Sequence, residues 1–281
     1  MIIGIVTAFA VAFAAVIGAC TGAFSSAAWL WVLPVSFLGG FLLGAILAFL
    51  FLWVCCAVVR LDVPQKKDSK FYRGLCNAFT ELALPVLKIR IHARGLEMLP
   101  KEGRFLLVCN HLNDLDPVVL MSQMPKSQLA FISKRENSSM FIVGKLMHKL
   151  MCQMVNREND RKALETIVTC IRIIKDDLVS VAVFPEGYTS LDGLLHPFRS
   201  GVFKIAQRAD VPIVVCTLQN TQYILKNAAH LKPTDVHVHL LGVIPTEELH
   251  GVTAVDIGNR VHAMMAEDLG PDLVLPTEEN A

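Results

Sequence analysis

The chain of 281 residues carries 26 Lys and Arg against 25 Asp and Glu, which gives a formal net charge of +1. This balance excludes a nucleic-acid binder held by bulk charge, because such proteins usually carry a strongly basic surface. The charges are unevenly placed, since residues 1–59 contain no Asp, Glu, Lys or Arg at all. The rest of the chain has the charge density of an ordinary water-soluble domain. The sequence therefore divides near Arg60 into an apolar part and a globular part.

The apolar part contains two runs, residues 1 to about 24 and residues 37 to about 59. A helix rises about 1.5 Å per residue, so each run is long enough to cross a hydrocarbon core about 30 Å thick. The break between them is marked by Ser25, Ser26, Trp29, Trp31 and Pro34. A cleaved signal peptide would begin with a basic segment, and the first run has none. We predict a two-helix transmembrane hairpin over residues 1–59.

The flank of the second run predicts the orientation. Its basic residues are Arg60, Lys66, Lys67, Lys70 and Arg73. Basic flanks stay on the cytoplasmic side of a membrane. Eight cysteines without a Cys-x-x-Cys pair agree with a reducing compartment. We therefore expect an integral membrane protein whose globular domain faces the cytoplasm, in a bacterial cell membrane, with an organelle's membrane left open as the alternative.

Residues 60–87 form a basic and amphipathic segment. Apolar residues recur at helical spacing at Phe71, Leu75, Phe79, Leu82 and Val86. This pattern predicts a helix with two alternative roles. It either packs on the globular domain or lies in the headgroup layer of the bilayer.

Strand-like and helix-like segments alternate over residues 88–281. The predicted strands are 88–93, 105–109, 129–132, 152–155, 179–184, 213–217 and 236–241. The predicted helices are 117–124, 138–150, 160–176, 201–208 and 253–269. Such alternation is typical of one α/β domain with a largely parallel or mixed sheet. Ligands of open α/β sheets bind beyond the carboxyl ends of the strands, so the segments that follow strands are the candidates for chemistry.

The first such segment runs from Asn110 to Pro117 and follows the predicted strand 105–109. His111 and Asp116 can meet if the chain turns between strand and helix. The carboxylate would then hold one imidazole nitrogen and leave the other free to take a proton. A purely structural alternative is that Asp116 caps a helix that Pro117 begins.

Two further segments follow strands. Phe184-Pro185-Glu186-Gly187 combines turn residues with a carboxylate beside a core strand, and such a carboxylate needs a partner. Arg157 precedes the helix 160–176, where it could present a planar fork to a phosphate near a helix N-terminus. An ordinary turn and a solvated capping loop are the structural alternatives for these two segments.

Together these segments resemble the glycerolipid acyltransferase family, whose best-known members are 1-acylglycerol-3-phosphate acyltransferases of the PlsC type. The family hallmark is Asn-His followed by four residues and Asp, present here as Asn110-His111 to Asp116. Its other blocks are similar to the Arg157 segment, to Phe184-Pro185-Glu186-Gly187 and to Val211-Pro212-Ile213-Val214. The resemblance covers roughly residues 75–265.

The resemblance implies a membrane-bound α/β acyltransferase that moves a fatty acyl group from acyl-CoA or acyl carrier protein to the free hydroxyl of a lysophospholipid. The expected acceptor is 1-acyl-glycerol-3-phosphate, which gives phosphatidic acid. His111 would be the general base and Asp116 would orient it. The residues implied for substrate binding are Asn110, Arg157, Glu186, Gly187 and Lys134. No metal, cofactor or nucleic acid is implied.

One departure from the family pattern leaves the acceptor open. Many relatives carry an arginine shortly after the Glu-Gly pair, where this chain has Tyr188 and Thr189. Replacement cations could be Lys134, Arg135, Arg199 and Lys204. Without such a cation, another lysolipid becomes the alternative acceptor.

Two other function classes remain as alternatives. Asp114 and Asp116 after a buried strand could bind magnesium in a phosphohydrolase or sugar transferase, and the chain could be a non-catalytic lipid-binding protein. His237 and His239 alternate along a predicted strand, and without acidic or Cys partners we interpret them as plain strand residues.

Overall fold

The uncharged N-terminal residues form two helices, α1 (Ile2–Cys20) and α2 (Trp29–Ala57). The structure is a computed structural model that describes residues 1–155 and 160–275. It divides into two units, residues 1–62 and 63–281. Both helices are long and apolar enough to cross a membrane, with a mean hydropathy of 2.5 in each.

Small residues form the contact between the two helices. Ala10 and Ala14 of α1 are buried, as are Gly40 and Gly44 of α2. A Cβ atom added at Gly40 would lie 3.0 Å from the Cβ of Phe13 and 3.1 Å from the Cα of Ala10. Close backbone approach through small residues is typical of helix pairs in membranes.

The predicted start of the second apolar helix at residue 37 was wrong, because α2 begins at Trp29 and contains Pro34. Pro34 is the sixth residue of α2, and the helix continues through it with the loss of one backbone hydrogen bond. Trp29, at the first position of α2, is half exposed.

The second unit contains seven strands and seven helices among its described residues. The helices are α3 (Lys70–Val86), α4 (Asp116–Gln123), α5 (Phe141–Lys149), α6 (Asp160–Lys175), α7 (Lys204–Ala209), α8 (Ile224–Ala229) and α9 (Ala254–Leu269). The strands are β1 (Ile89–Arg94), β2 (Leu106–Cys109), β3 (Leu129–Lys134), β4 (Gln153–Val155), β5 (Ser180–Val183), β6 (Ile213–Gln219) and β7 (Thr234–Ile244).

The strands form one mixed sheet in the order β1-β7-β6-β2-β5-β3-β4. β6, β2, β5, β3 and β4 run parallel to one another, whereas β7 is antiparallel to β6 and parallel to β1. The predicted α/β fold with a largely parallel or mixed sheet is confirmed. The parallel strands bring the segments after β2, β5, β3 and β4 to a single edge of the sheet.

Two apolar layers cover the two faces of the sheet. β2 shows why: Leu106 and Val108 join the layer under α6, α7 and α9, while Leu107 and Cys109 join the layer under α3, α4 and α8. All four side chains are fully buried. A continuous apolar run is typical of a parallel strand that is covered on both faces.

The α3 helix differs from its prediction in the face that it buries. Tyr72, Cys76 and Leu84 pack against the core, while Phe71 and Val86, the two ends of the predicted apolar stripe, are exposed. The helix therefore packs on the domain through a neighbouring face.

Arg73 was wrongly predicted to belong to the basic membrane flank. Its side chain is only 8% exposed and makes a double hydrogen bond with Asp68, both at 2.8 Å. It also donates to the carbonyl of Leu129 at 3.0 Å. A buried guanidinium needs such partners, and it finds them inside the α/β unit.

Candidate active site

His111 and Asp116 meet at the turn between β2 and α4. Nδ1 of His111 lies 2.9 Å from Oδ2 of Asp116. The carboxyl group is completely buried, and the imidazole is 12% exposed. Asp116 is the first residue of α4, so the five-residue spacing spans the turn from the end of the strand to the helix.

The contacts of the aspartate determine which imidazole nitrogen carries the proton. Oδ2 of Asp116 also accepts hydrogen bonds from the backbone N–H groups of Leu112, at 2.7 Å, and Asn113, at 2.9 Å. This oxygen is an acceptor for both donors, so Nδ1 of His111 must donate to it. In the neutral imidazole Nε2 then carries the lone pair, as a general base requires.

These contacts also separate the two interpretations of Asp116. The carboxylate of Asp116 binds both the imidazole of His111 and the backbone of the loop that precedes α4. The residue in the N-cap position of α4 is Leu115, which makes no side-chain capping bond. The helix-cap interpretation of Asp116 therefore does not describe this site.

The segment after β5 packs around His111. The ring of Phe184 stacks on the imidazole, with ring centroids 4.1 Å apart and planes 12° from parallel. Oε1 of Glu186 accepts a hydrogen bond from the backbone N–H of His111 at 2.8 Å. The backbone N–H of Ser190 donates to the carbonyl of His111 at 2.8 Å. The loop therefore fixes both the ring and the main chain of His111.

Glu186 is a buried carboxyl group whose two oxygens both contact the backbone. Its second oxygen, Oε2, accepts from the N–H of His196 at 3.1 Å, and the residue is 1% exposed. Burial raises the pKa of Glu186 to about 7, and the two backbone N–H groups oppose that rise. The side chain joins the loops of His111 and His196, and the substrate-binding role predicted for Glu186 stays a prediction.

Gly187 allows an arginine to cross the loop. Its φ is +81°, a conformation that favours glycine. A Cβ atom here would lie 2.8 Å from Nε and 2.9 Å from Cδ of Arg199. The backbone N–H of Arg199 also donates to the carbonyl of Pro185 at 2.8 Å. The structure thus places one of the four candidate cations, Arg199, directly on the Glu-Gly turn, with an exposed side chain.

Asn110 uses its side-chain amide within the sheet. Its Nδ2 donates to the carbonyl of Leu218 at 2.9 Å, and its Oδ1 accepts from the N–H of Leu218 at 2.7 Å. These bonds continue the β2–β6 pairing beyond Cys109 and Cys216. Asn110 is 1% exposed, so it fixes the start of the His111 loop.

The other predicted substrate-binding residues lie farther along the same sheet edge. Lys134 is half-buried at the carboxyl end of β3, and β5 lies between it and β2. Arg157 falls outside the described residues. The roles predicted for both stay predictions.

The acidic and histidine residues considered for metal binding are dispersed. Asp114 is exposed, in contrast to the buried Asp116. His237 stacks on His92, with centroids 5.1 Å apart, and Nδ1 of His239 lies 3.0 Å from Asp268. Over residues 1–155 and 160–275, no three His, Cys, Asp or Glu side chains converge to hold a metal ion.

Sequence reasoning missed three contacts at this site. Thr189 appeared only as a departure from a pattern, yet its Oγ1 lies 3.1 Å from Nε2 of His111. The stacking ring of Phe184 and the backbone of His196 were given no role. The Phe-Pro-Glu-Gly block was the available signal for Phe184, because it placed an aromatic residue at the end of the strand beside the histidine.

The fold and the site define a class: an α/β domain of the acyltransferase type, with a histidine–aspartate pair at the carboxyl edge of its sheet. Residues 90–219 match the family model described as Acyltransferase. This stretch contains the His111–Asp116 turn and the Glu186–Gly187 turn.

The chain is similar to curated glycerolipid enzymes. It is 28% identical over 167 residues to a 1-acyl-sn-glycerol-3-phosphate acyltransferase of Cocos nucifera, a match that covers 59% of this chain and 54% of the relative. It is 27% identical over 179 residues to 1-acyl-sn-glycerol-3-phosphate acyltransferase alpha of Homo sapiens, covering 63% of each. The matched stretch is therefore less than two thirds of the length of these relatives.

A solved structure has the same fold. The 1-acyl-sn-glycerophosphate (LPA) acyltransferase PlsC from Thermotoga maritima superposes with a TM-score of 0.61 at 19% identity, covering 81% of this chain and 89% of that one. The family model, the curated relatives and this structure together support the resemblance to the PlsC-type glycerolipid acyltransferases on which the sequence interpretation depends.

Proposed function

We propose that the protein is a membrane-bound acyltransferase that moves a fatty acyl group from acyl-CoA or acyl carrier protein to the free hydroxyl of 1-acyl-glycerol-3-phosphate, giving phosphatidic acid. The observation that carries the proposal is the His111–Asp116 pair. Asp116 holds Nδ1, and the lone pair of Nε2 is directed at a hydroxyl group, that of Thr189. The relatives are 1-acyl-sn-glycerol-3-phosphate acyltransferases, which supports the choice of acceptor.

The reaction needs no nucleophile from the protein. Nε2 of His111 takes the proton of the acceptor hydroxyl as its oxygen attacks the thioester carbonyl. The carbon–sulfur bond then breaks, and the thiolate leaves with the proton that the imidazolium returns. Asp116 stabilises the transient positive charge on the imidazole. General base catalysis of this kind contributes about 10²–10⁴-fold in rate.

Arg199 is the cation that we assign to the acceptor phosphate. Its side chain passes over Gly187 in the loop that holds His111, and it is exposed. A guanidinium presents paired N–H donors that match phosphate oxygens. Arg199 would thus supply the charge that many relatives carry shortly after the Glu-Gly pair, where this chain has Tyr188 and Thr189.

The membrane assignment follows from the hairpin. α1 and α2 would span the bilayer, and the exposed Lys66, Lys67 and Lys70 support a cytoplasmic location of the α/β unit. The exposed Phe71 and Val86 of α3 support contact of this helix with the headgroup layer.

The test is an assay of the purified full-length protein in detergent, with acyl-CoA and a panel of lysolipids, read by product mass. We expect acylation of 1-acyl-glycerol-3-phosphate to exceed acylation of lysophosphatidylcholine and monoacylglycerol. Arg199→Gln should reduce this preference roughly tenfold by raising the KM for the phosphate acceptor, with Arg260→Gln, an exposed arginine on α9, as the matched control. Equal use of every lysolipid by the wild-type protein would contradict the proposed acceptor.

EDTA in the same assay addresses the alternative enzyme. A magnesium-dependent phosphohydrolase or sugar transferase that used Asp114 and Asp116 would lose its activity. Acyl transfer by His111 should continue at an unchanged rate.

A further inference from the structure

We propose that Thr189 determines which nucleophile reaches the base, by excluding water from Nε2 of His111 until the acceptor binds. The inference rests on the proposed function, because it assumes that His111 activates an acceptor hydroxyl for attack on a thioester. It assigns a role in specificity to a side chain outside the His–Asp pair and the Glu-Gly turn.

The proton positions at His111 give the direction of the Thr189 hydrogen bond. In the neutral imidazole, Nδ1 donates to Asp116 and Nε2 is an acceptor, so the hydroxyl of Thr189 at 3.1 Å is the donor. The acceptor hydroxyl has to make this same bond in order to lose its proton. Thr189 therefore occupies the position that the reacting hydroxyl needs.

Contacts occupy one face and both nitrogen edges of the imidazole. Phe184 covers one face of the ring, Asp116 fills the Nδ1 edge, and Thr189 fills the Nε2 edge. The imidazole of His111 is only 12% exposed. A water molecule must displace the threonine hydroxyl to reach the lone pair.

The loop holds Thr189 in this position. The backbone N–H of Ser190 binds the carbonyl of His111, and the hydroxyl of Ser190 donates to Asp192 and to the carbonyl of Leu194, each at 2.8 Å. Thr189 is thus fixed on one side by Ser190 and on the other by the Glu186–Gly187 turn.

Exclusion of water matters because the donor is hydrolysable. A water molecule on Nε2 would be deprotonated like the acceptor hydroxyl, would attack the thioester carbonyl, and would release free fatty acid and the thiol. An acceptor that is held by several contacts can displace a single hydrogen bond, whereas water gains no such advantage. A hydrogen bond of ordinary strength corresponds to roughly a two- to tenfold difference in occupancy.

The experiment compares full-length wild-type protein with T189A and the matched variant T189S in detergent. Thiol release from acyl-CoA without acceptor measures hydrolysis, and phosphatidic acid formed with 1-acyl-glycerol-3-phosphate measures transfer. T189A should raise the ratio of hydrolysis to transfer at least threefold and lower the KM for the acceptor, whereas T189S, which keeps the hydroxyl, should keep the wild-type ratio. A merely structural role would lower both rates together and leave the ratio unchanged.

An unchanged ratio in T189A would overturn the proposal. So would an acyl adduct on Thr189 detected by intact mass after incubation of the wild-type protein with acyl-CoA alone, since the threonine would then be a nucleophile. A wild-type protein that forms no acylated lysolipid would instead contradict the proposed function, and that result is distinct from both.

Discussion

The two units of the molecule differ in how many of their large apolar side chains they leave exposed. In the hairpin, small residues such as Ala10 and Gly40 lie in the helix contact, while large apolar residues such as Phe49 and Trp53 are exposed. In the α/β unit, large residues such as Phe203 are fully buried. An outer surface of large apolar side chains is more stable in an apolar solvent, which agrees with the proposed membrane hairpin.

The units also differ in the charged side chains that they contain and bury. Residues 1–59 contain no charged side chain, whereas the α/β unit buries Arg73, Asp116 and Glu186. Each of these three has hydrogen-bond partners inside the unit. A buried charge without partners is costly, and Asp116 and Glu186 use their partners to organise the loops of the site.

Glu186→Gln tests the buried charges and should have the largest effect on stability. The raised pKa, about 7, means that the folded protein keeps this proton while the unfolded chain releases it near 4.5. The contribution of Glu186 to the free energy of unfolding therefore falls as pH rises from about 4.5 through about 7, by at most about 3 kcal/mol. The glutamine variant lacks that dependence.

Chemical denaturation at several pH values between 5 and 8 measures the difference between wild-type and Glu186→Gln. We expect this difference to change in favour of the variant as pH rises. Glu165→Gln is the matched control, because Glu165 is 69% exposed on α6. Parallel pH curves for wild-type and Glu186→Gln would contradict the assignment of a buried, proton-binding carboxyl group.

Gly40→Leu tests the packing of the hairpin and should have a smaller effect. A side chain here meets Phe13 and the backbone of Ala10, whereas a Cβ at the neighbouring Gly39 would have no atom within 4 Å. Overpacking of this kind costs roughly 1–3 kcal/mol, so Gly40→Leu should loosen the hairpin and Gly39→Leu should not.

Tryptophan fluorescence reports on this unit alone, because all three tryptophans of the chain, Trp29, Trp31 and Trp53, lie in α2. The thermal midpoint followed by fluorescence in detergent should fall for Gly40→Leu and stay unchanged or rise for Gly39→Leu. Equal behaviour of the two variants would show that the contact does not depend on small residues.

The sequence predicts best where local periodicity and composition determine structure. The parallel strands were predicted from their apolar runs, and the turn between His111 and Asp116 from their spacing after β2. The start of α2 was wrong because Pro34 was taken as a break, although the helix continues through it. The helix α8 was missed because its six residues are too few to show a period.

The rest of the site depends on contacts between distant segments. Arg199 reaches Gly187 because the intervening loop folds back, and Thr189 reaches His111 across 78 residues of sequence. Arg73 was misassigned for the same reason, since its burial depends on Asp68 and on the distant carbonyl of Leu129. Irregular loops carry no repeating pattern from which such contacts can be predicted.

The most direct test of the account is the turnover of His111→Ala in the acyl transfer assay. The variant should lose about 10²–10⁴-fold in kcat, while circular dichroism shows an unchanged fold. His230→Ala is the matched control. The side chain of this exposed histidine, at the end of α8, bonds only to the carbonyl of Lys226 among the described residues. Turnover of purified His111→Ala within tenfold of the wild-type protein would contradict the role of this imidazole as the base.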